Sequence, residues 1–246
     1  MLIEEGGKPM LEFEEDYLIS LCVEYWNSFD KLNQLFDEAD LTKEYGRGGL
    51  CIHRGFYCPS PVMDIMIGGC DRGYLVKKPR SSVPVDYVFL KADDKLRIVD
   101  HYWQRSENIC EHYTREFIID NNLESIGLTY NDCTWNPPRL SYICLCRYDS
   151  TGKMTKYLEM LPNHSWAVGR FEKKNIELYC EEYCYNEQTG LLESVLHGTK
   201  WNQYISENYY RFYHDETGRL LSYQYEMANG DYSPIFTVAK KKRRMI

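Results

Sequence analysis

The sequence contains none of the short motifs that identify common enzyme classes. It has no Gly-x-Ser-x-Gly elbow, no His-Glu-x-x-His helix and no Gly-x-x-x-x-Gly-Lys phosphate-binding loop. The run Gly46-Arg47-Gly48-Gly49 is rich in glycine, but it follows a predicted helix rather than a strand. That position favours a helix-ending turn over a phosphate cradle.

Long apolar runs are also missing. No stretch of 18 apolar residues is present, so no membrane-spanning helix is expected. The first seven residues carry two Glu and no basic segment, which predicts that there is no secretory signal. We therefore expect a cytoplasmic protein whose ten cysteines are free thiols rather than disulfides.

Basic residues are scarce outside the C-terminus. The formal net charge is -8, and without the five basic residues in 240–244 the remaining 24 basic and 37 acidic residues give -13. This charge disfavours nucleic-acid binding by the folded body, because phosphate contacts need clustered Lys and Arg. It favours a basic protein partner. The basic tail, 233–246, is interpreted as a solvated end.

Residues 12–40 carry a helical pattern. Apolar residues recur at alternating intervals of four and three, which places one apolar stripe on a single helix face. The pattern predicts one long helix of about 26 residues, enough to cross several strands of a sheet. The stripe comprises Leu18, Cys22, Tyr25, Phe29, Leu32, Phe36 and Ala39.

The rest of the chain predicts β structure in one domain, 1–246. Residues 46–84 are rich in Gly and Pro and indicate an irregular connecting segment with short strands. In 85–232, apolar and polar residues alternate between short turns, as in half-buried strands. The predicted fold class is α+β, with one long N-terminal helix packed on an antiparallel β-meander of repeated hairpins. Five similar stretches run from about 86–103, 110–130, 140–160, 176–197 and 207–227.

The turns of these stretches resemble the YD-type repeats of Rhs-like proteins. Arg147–Met154 reads RYDSTGKM, and Phe212–Leu220 reads FYHDETGRL with His214 where Tyr is usual. Tyr183–Gly190 is a looser copy with Asn186 in place of Asp. The resemblance covers about a third of the chain and implies β-hairpins in series. Small cytoplasmic proteins of this texture are similar to immunity proteins that neutralise bacterial toxins.

Aromatic and acidic residues of the later strands are candidates for protein binding. Trp and Tyr are over-represented at binding hot spots, and 22 Tyr are many for one core. A face that mixes Tyr with Glu suits a basic protein, although a plain solvated sheet face is the simpler interpretation. The candidates are Tyr179, Glu181, Glu182, Glu193, Trp201, Glu207, Tyr209 and Tyr213.

The segment 46–75 holds an alternative site. Irregular loops carry function more often than regular elements do, and a Cys nucleophile needs a His within reach. Packing and turn chemistry are the simpler interpretation there. The candidate residues are Cys51, His53, Arg54, Cys58 and Arg72.

No metal site or cofactor is predicted. Cys180 and Cys184 share a strand face but lie about 13 Å apart, too far for one zinc ion.

Two functional hypotheses follow. The first is a non-enzymatic protein-binding module, for example a cytoplasmic immunity protein that neutralises a basic toxin. The second is an enzyme or small-ligand binder with its site in 46–75. A structural module that acts only within a larger assembly is a third possibility.

Overall fold

The computed structural model describes residues 2–3, 9–47, 74–76, 87–93, 95–106, 109–131, 138–162, 176–226 and 230–237. In chain order the elements are β1 (Leu2–Ile3), β2 (Pro9–Met10), α1 (Glu15–Tyr25), α2 (Phe29–Leu35), the 3₁₀ turn η1 (Glu38–Asp40), β3 (Thr42–Arg47), β4 (Tyr74–Val76), β5 (Tyr87–Ala92), β6 (Lys95–Ser106), β7 (Ile109–Asn121), β8 (Glu124–Asn131), β9 (Arg139–Tyr148), β10 (Met154–Leu161), β11 (Glu177–Tyr185), β12 (Leu192–Trp201), β13 (Tyr204–His214), β14 (Leu220–Tyr225) and β15 (Phe236–Thr237).

Thirteen of these strands form one antiparallel sheet. Their order is β15-β14-β13-β12-β11-β10-β9-β8-β7-β6-β5-β3-β4, so from β6 onward each strand pairs with its predecessor in the chain. Strand β3 lies between β5 and β4, and it accounts for part of the predicted connecting segment. Strands β1 and β2 form a separate ladder. Of the predicted basic tail, residues 233–237 are described and 238–246 lie outside the described residues.

The predicted series of antiparallel hairpins is confirmed. The five stretches correspond to the pairs β5–β6, β7–β8, β9–β10, β11–β12 and β13–β14. In the β9–β10 turn, Asp149 Oδ1 accepts hydrogen bonds from the backbone N–H groups of Thr151 at 2.8 Å and Lys153 at 3.0 Å. Gly152 then takes a φ of 82°, a left-handed conformation that costs glycine little. The turn that begins at Asp215 is built in the same way.

The predicted single long helix over 12–40 is wrong, and so is the α+β fold class built on it. The described residues contain only two short helices, α1 and α2, and the structure is mostly β. The break has a local cause at Ser28. Its backbone N–H donates to the Tyr25 carbonyl at 3.1 Å, while its Oγ donates to the Glu24 carbonyl at 3.0 Å. A Ser side chain that bonds nearby backbone in this way competes with a continuous helix.

The apolar spacing continues across the break because both short helices contribute to one core. The Phe29 ring meets Phe117 at 5.7 Å and Tyr130 at 5.3 Å, both edge-on. The Tyr130 hydroxyl donates to the Tyr25 carbonyl at the end of α1. Every member of the predicted stripe except exposed Ala39 lies in this core or packs against it.

The opposite face of the sheet is also buried in the central strands. Six consecutive residues, 125–130, are buried in β8, and seven, 140–146, are buried in β9. The side chains of a second apolar cluster lie on this face, among them Tyr157, Val195, Tyr210 and Phe212. No helix among the described residues is long and apolar enough to cross a membrane.

A partly buried ionic cluster ties the helical segment to the sheet. Arg115 on β7 makes a bidentate pair with Asp100 on β6, at 2.6 Å and 2.7 Å. Its Nη1 donates to Asn33 Oδ1 at 2.7 Å, and Nη2, which also bonds Asp100, donates to Glu38 Oε1 at 3.0 Å. One side chain therefore joins two strands to α2 and η1.

We expect Arg115→Leu to lower the free energy of unfolding by about 3–5 kcal/mol, because it leaves the Asp100 carboxylate buried without its cation. The double variant Arg115→Leu/Asp100→Leu should recover most of that loss. Urea unfolding measures both. As a control, Lys43→Leu removes an exposed ion pair to Glu38 and should cost less than about 1 kcal/mol. An equal cost for the single and double variants would contradict this account.

Candidate functional site

The region from the β11–β12 turn to β15 concentrates acidic charge and exposed aromatic surface. Residues 186–237 include seven acidic and three basic residues. Of the twelve exposed large apolar side chains in the described part of the chain, eight fall between positions 201 and 236. We call this region the acidic aromatic end. Its exposed apolar residues are Trp201, Tyr204, Ile205, Tyr213, Leu221, Tyr232, Ile235 and Phe236.

A groove of about 490 Å³ lies in this region, beside the β11–β12 turn. Three of the predicted binding residues, Glu193, Tyr209 and Tyr213, line it. Arg211 lies among them, with its guanidinium carbon 5.7 Å from the Tyr209 ring centroid and 4.7 Å from that of Tyr232. The groove therefore offers aromatic surfaces, a carboxylate and a cation held between two rings.

Other predicted binding residues have scaffold roles. The Glu182 carboxylate lies 3.3 Å from Lys156 Nζ, and the Tyr179 hydroxyl donates to Glu177 Oε1 at 2.6 Å. The Glu182–Lys156 pair joins β11 to β10, whereas the Tyr179–Glu177 bond lies within β11. Trp201, by contrast, is 56% exposed at the end of β12.

Glu207 anchors the segment that leads into α1. Its Oε1 accepts a hydrogen bond from the backbone N–H of Leu11 at 2.9 Å. The segment can lie so close because Gly198 stands opposite Glu207 on β12. A Cβ at Gly198 would come within 2.5 Å of Leu11 Cδ1 and 3.2 Å of Phe13 Cζ. Glu207 therefore holds the covering segment against the sheet.

Glu181 lies in the interior and not on the surface expected from the sequence. It is 1% exposed, as is His197, whose Nδ1 lies 3.1 Å from Glu181 Oε1. The Tyr183 hydroxyl donates to the other carboxylate oxygen. Both carboxylate oxygens are thus engaged with groups of the protein.

Glu181 is one member of a row of buried polar groups on the sheet face away from the helices. Glu159, which is fully buried, stands opposite Cys144 in the register and accepts a hydrogen bond from the Tyr142 hydroxyl. The Tyr142 and Tyr157 hydroxyl oxygens are 2.9 Å apart. Glu116 lies next to Cys144, whose Sγ is 3.7 Å from Glu116 Oε1. We call Glu116, Glu159 and Glu181 the buried carboxylate row.

Burial changes the acid–base chemistry of this row. Glu116 is 5% exposed, and desolvation raises its pKa to about 8, with a further increase from the charge of Glu159. The hydrogen bond from Cys144 opposes this effect without overcoming it. Glu116 therefore holds a proton at neutral pH, which lessens the cost of burying several carboxyl groups together.

Glu116 and Glu159 were not among the residues predicted from the sequence, because an alternating pattern assigns one face of each strand to water. Glutamates at alternating positions then look solvated. A usable signal was present in β9, where Leu140–Cys146 is nearly all apolar or aromatic. A continuous run of that kind indicates a strand buried on both faces.

The alternative site cannot be placed. All five of its candidate residues, within 51–72, lie outside the described residues, so that hypothesis stays a prediction. The described residues contain no cluster of three or more His, Cys, Asp or Glu that could hold a metal ion. Cys144, Cys146 and Cys180 are buried cysteines outside any disulfide, and Cys184 is an exposed one.

The raised pKa of Glu116 predicts a pH-dependent stability. The pKa of Glu116 in the folded protein is about 8, above the ordinary value of 4.5. The contribution of Glu116 to the free energy of unfolding is therefore complete below about pH 4.5 and is lost as the pH rises through 8. Glu116→Gln cannot ionise, so the wild type should lose a few kcal/mol relative to this variant between about pH 5 and pH 9. Urea unfolding across that range measures the difference, and exposed Glu193→Gln is the control. Parallel pH profiles for wild type and Glu116→Gln would contradict the assignment.

Comparison with known proteins does not assign the chain to a family. No protein-family model matches the chain, and no curated protein matches its sequence. The resemblance to YD-type repeats therefore remains a prediction, and the function has to be inferred from the geometry of the acidic aromatic end and the buried carboxylate row.

Proposed function

We propose that the chain is a non-enzymatic protein-binding module that binds a basic partner with its acidic aromatic end. One observation carries the proposal: most of the exposed large apolar side chains of the described residues coincide with an excess of acidic over basic residues. Scattered exposed apolar residues are ordinary, whereas a concentration of them rimmed by polar groups is typical of an interaction surface.

The residue types support a protein rather than a small ligand as the partner. Trp201, Tyr204 and Tyr213 are 56%, 69% and 40% exposed, so each has much surface left to bury on binding. Trp and Tyr contribute disproportionately to protein–protein affinity because they bury a large area with few rotatable bonds. They are spread along two strands rather than gathered around one enclosed cavity.

The groove supports a partner with specific charges. Glu193 is exposed and can pair with a Lys or Arg of the partner, and the rings of Tyr209 and Tyr213 can lie against the aliphatic stem or the cation. Arg211 supplies a positive charge within the groove and suits a carboxylate of the partner. Two opposite charges in one groove would fix the partner's orientation.

A basic toxin is the partner class that we favour. The chain is similar to toxin-immunity proteins in its size and hairpin pattern. An acidic surface also accelerates encounter with a basic protein. Such a module would act by occupying the partner's surface and would need no catalytic group. The proposed location is the cytoplasm.

The proposal is tested by recovering tagged full-length chain from its native cells at low salt and then washing at high salt. We expect one stoichiometric basic protein at low salt and its release at high salt, because exposed charge pairs are screened within about 10 Å at 0.1 M ionic strength. A chain that carries no such protein at low salt would count against the proposal.

Charge reversal should locate the binding surface. We expect Glu193→Lys/Glu216→Lys to weaken binding of the recovered protein by about tenfold or more and to flatten its salt dependence, because attraction becomes repulsion. Asp30→Lys/Asp40→Lys is the matched control, since it makes the same change of charge at two residues that are also exposed but lie in the helical segment. Isothermal titration at two salt concentrations measures the effect. Equal loss in the control would point to net charge rather than to this surface.

A further inference from the structure

Over its first half, strand β13 has a neighbouring strand on one side only among the described residues. Residues 204–208 pair with β12 along their whole length. On the other side, the register between β13 and β14 begins only at Tyr210, which stands opposite Tyr225. Among the described residues, the 204–208 segment therefore has a strand on one side only.

The backbone groups of this edge alternate in direction. The Glu226 N–H donates to the Tyr209 carbonyl at 2.9 Å, so the polar groups of Tyr209 point away from β12. In an antiparallel strand this direction repeats at every second residue. The N–H and C=O groups of Ile205 and Glu207 therefore also point away from β12, where they can pair with another strand.

The first two side chains of this edge, Tyr204 and Ile205, are apolar and exposed, whereas Ser206, Glu207 and Asn208 are polar. Free edges normally carry charges, proline or a bulge that discourage further pairing. Here Trp201 and Tyr204 face each other across the hairpin and Ile205 lies on the other face, with exposures of 56%, 69% and 54%. An added strand would find aromatic surface on one face and an aliphatic group on the other.

We propose that an extended segment of the basic partner binds here by adding a strand to the 204–208 edge of β13. The inference rests on the proposed function and names the mode of recognition. Main-chain bonds at Ile205 and Glu207 would align the segment, and the flanking apolar side chains would select for its alternate residues. The surrounding excess of acidic residues in 186–237 favours a segment rich in Lys or Arg.

Proline at position 205 tests the backbone contribution. Ile205→Pro removes the outward N–H and leaves the bonds to β12 in place, which an edge strand tolerates. Ile205→Thr is the matched control, because it removes the same apolar group and keeps the N–H. We expect affinity for the recovered basic protein to fall at least tenfold further with Pro than with Thr. Equal affinities for the two variants, with similar thermal unfolding, would overturn the proposal.

A crosslinking measurement stands independently of whether the proline variant folds. Full-length chain with p-benzoylphenylalanine in place of Tyr204 is irradiated in its native cells, with the same group in place of Leu35 as the control. Leu35 is 65% exposed but belongs to α2, far along the chain from β13. We expect an adduct with the recovered basic protein at position 204 and none at position 35. Peptide mapping should place it in an extended basic segment.

The outcomes separate this inference from the proposed function. If a basic protein is recovered but crosslinks only near the groove, for example at Tyr213, strand addition is overturned and the binding function stands. An adduct with a second copy of this chain would identify a homodimer edge, and an adduct with lipid would identify a membrane contact. Either result overturns the addition of a strand from a basic partner. If no basic protein is recovered at all, the proposed function is contradicted, and the inference that rests on it falls with it.

Discussion

Cross-strand register is the constraint on which this structure depends. From β5 to β14 every strand pairs with its neighbour in sequence, and side chains alternate between the two faces. A slip of one residue in β10 would exchange Leu158 of the core beneath the helices with Glu159 of the buried carboxylate row. The turns at Asp149 and Asp215, with their repeated side-chain bonds to backbone N–H groups, help to fix that register.

Local chemistry could be predicted from the sequence, and tertiary context could not. The Asp-to-Gly turns are determined by a few adjacent residues, so the hairpins were predicted correctly. The helix break at Ser28 depends on one side chain that prefers the Glu24 carbonyl, against an apolar pattern that continues on both sides. The burial of Glu181 depends on its contact with His197 across the β11–β12 turn and on the burial of that sheet face, which also includes Tyr183. Periodicity carries no information about such cover.

The position of the acidic aromatic end follows from where the covering segment stops. The helices and the segment before them pack on strands as far as β12, where Gly198 admits Leu11 and Phe13 and Glu207 holds the Leu11 backbone. The core beneath the helices contains no buried residue of β13, β14 or β15 among those described. Among the described residues, no helix packs on the same sheet face in these last strands, and Arg211 with its tyrosines lies there.

The two unusual polar features differ in how they are satisfied. In the buried carboxylate row, Glu159 and Glu181 accept hydrogen bonds from tyrosines, and Glu116 holds a proton, so the row can be stable within the monomer and can specify the register. The 204–208 edge exposes backbone groups and apolar side chains together, and within the described residues no strand covers it. Water can hydrogen-bond the backbone groups of this edge, but it cannot stabilise the apolar side chains. An added strand with apolar contacts would stabilise both kinds of group at once. Only the edge gains from a partner, and for that reason recognition is assigned to β13 rather than to the interior.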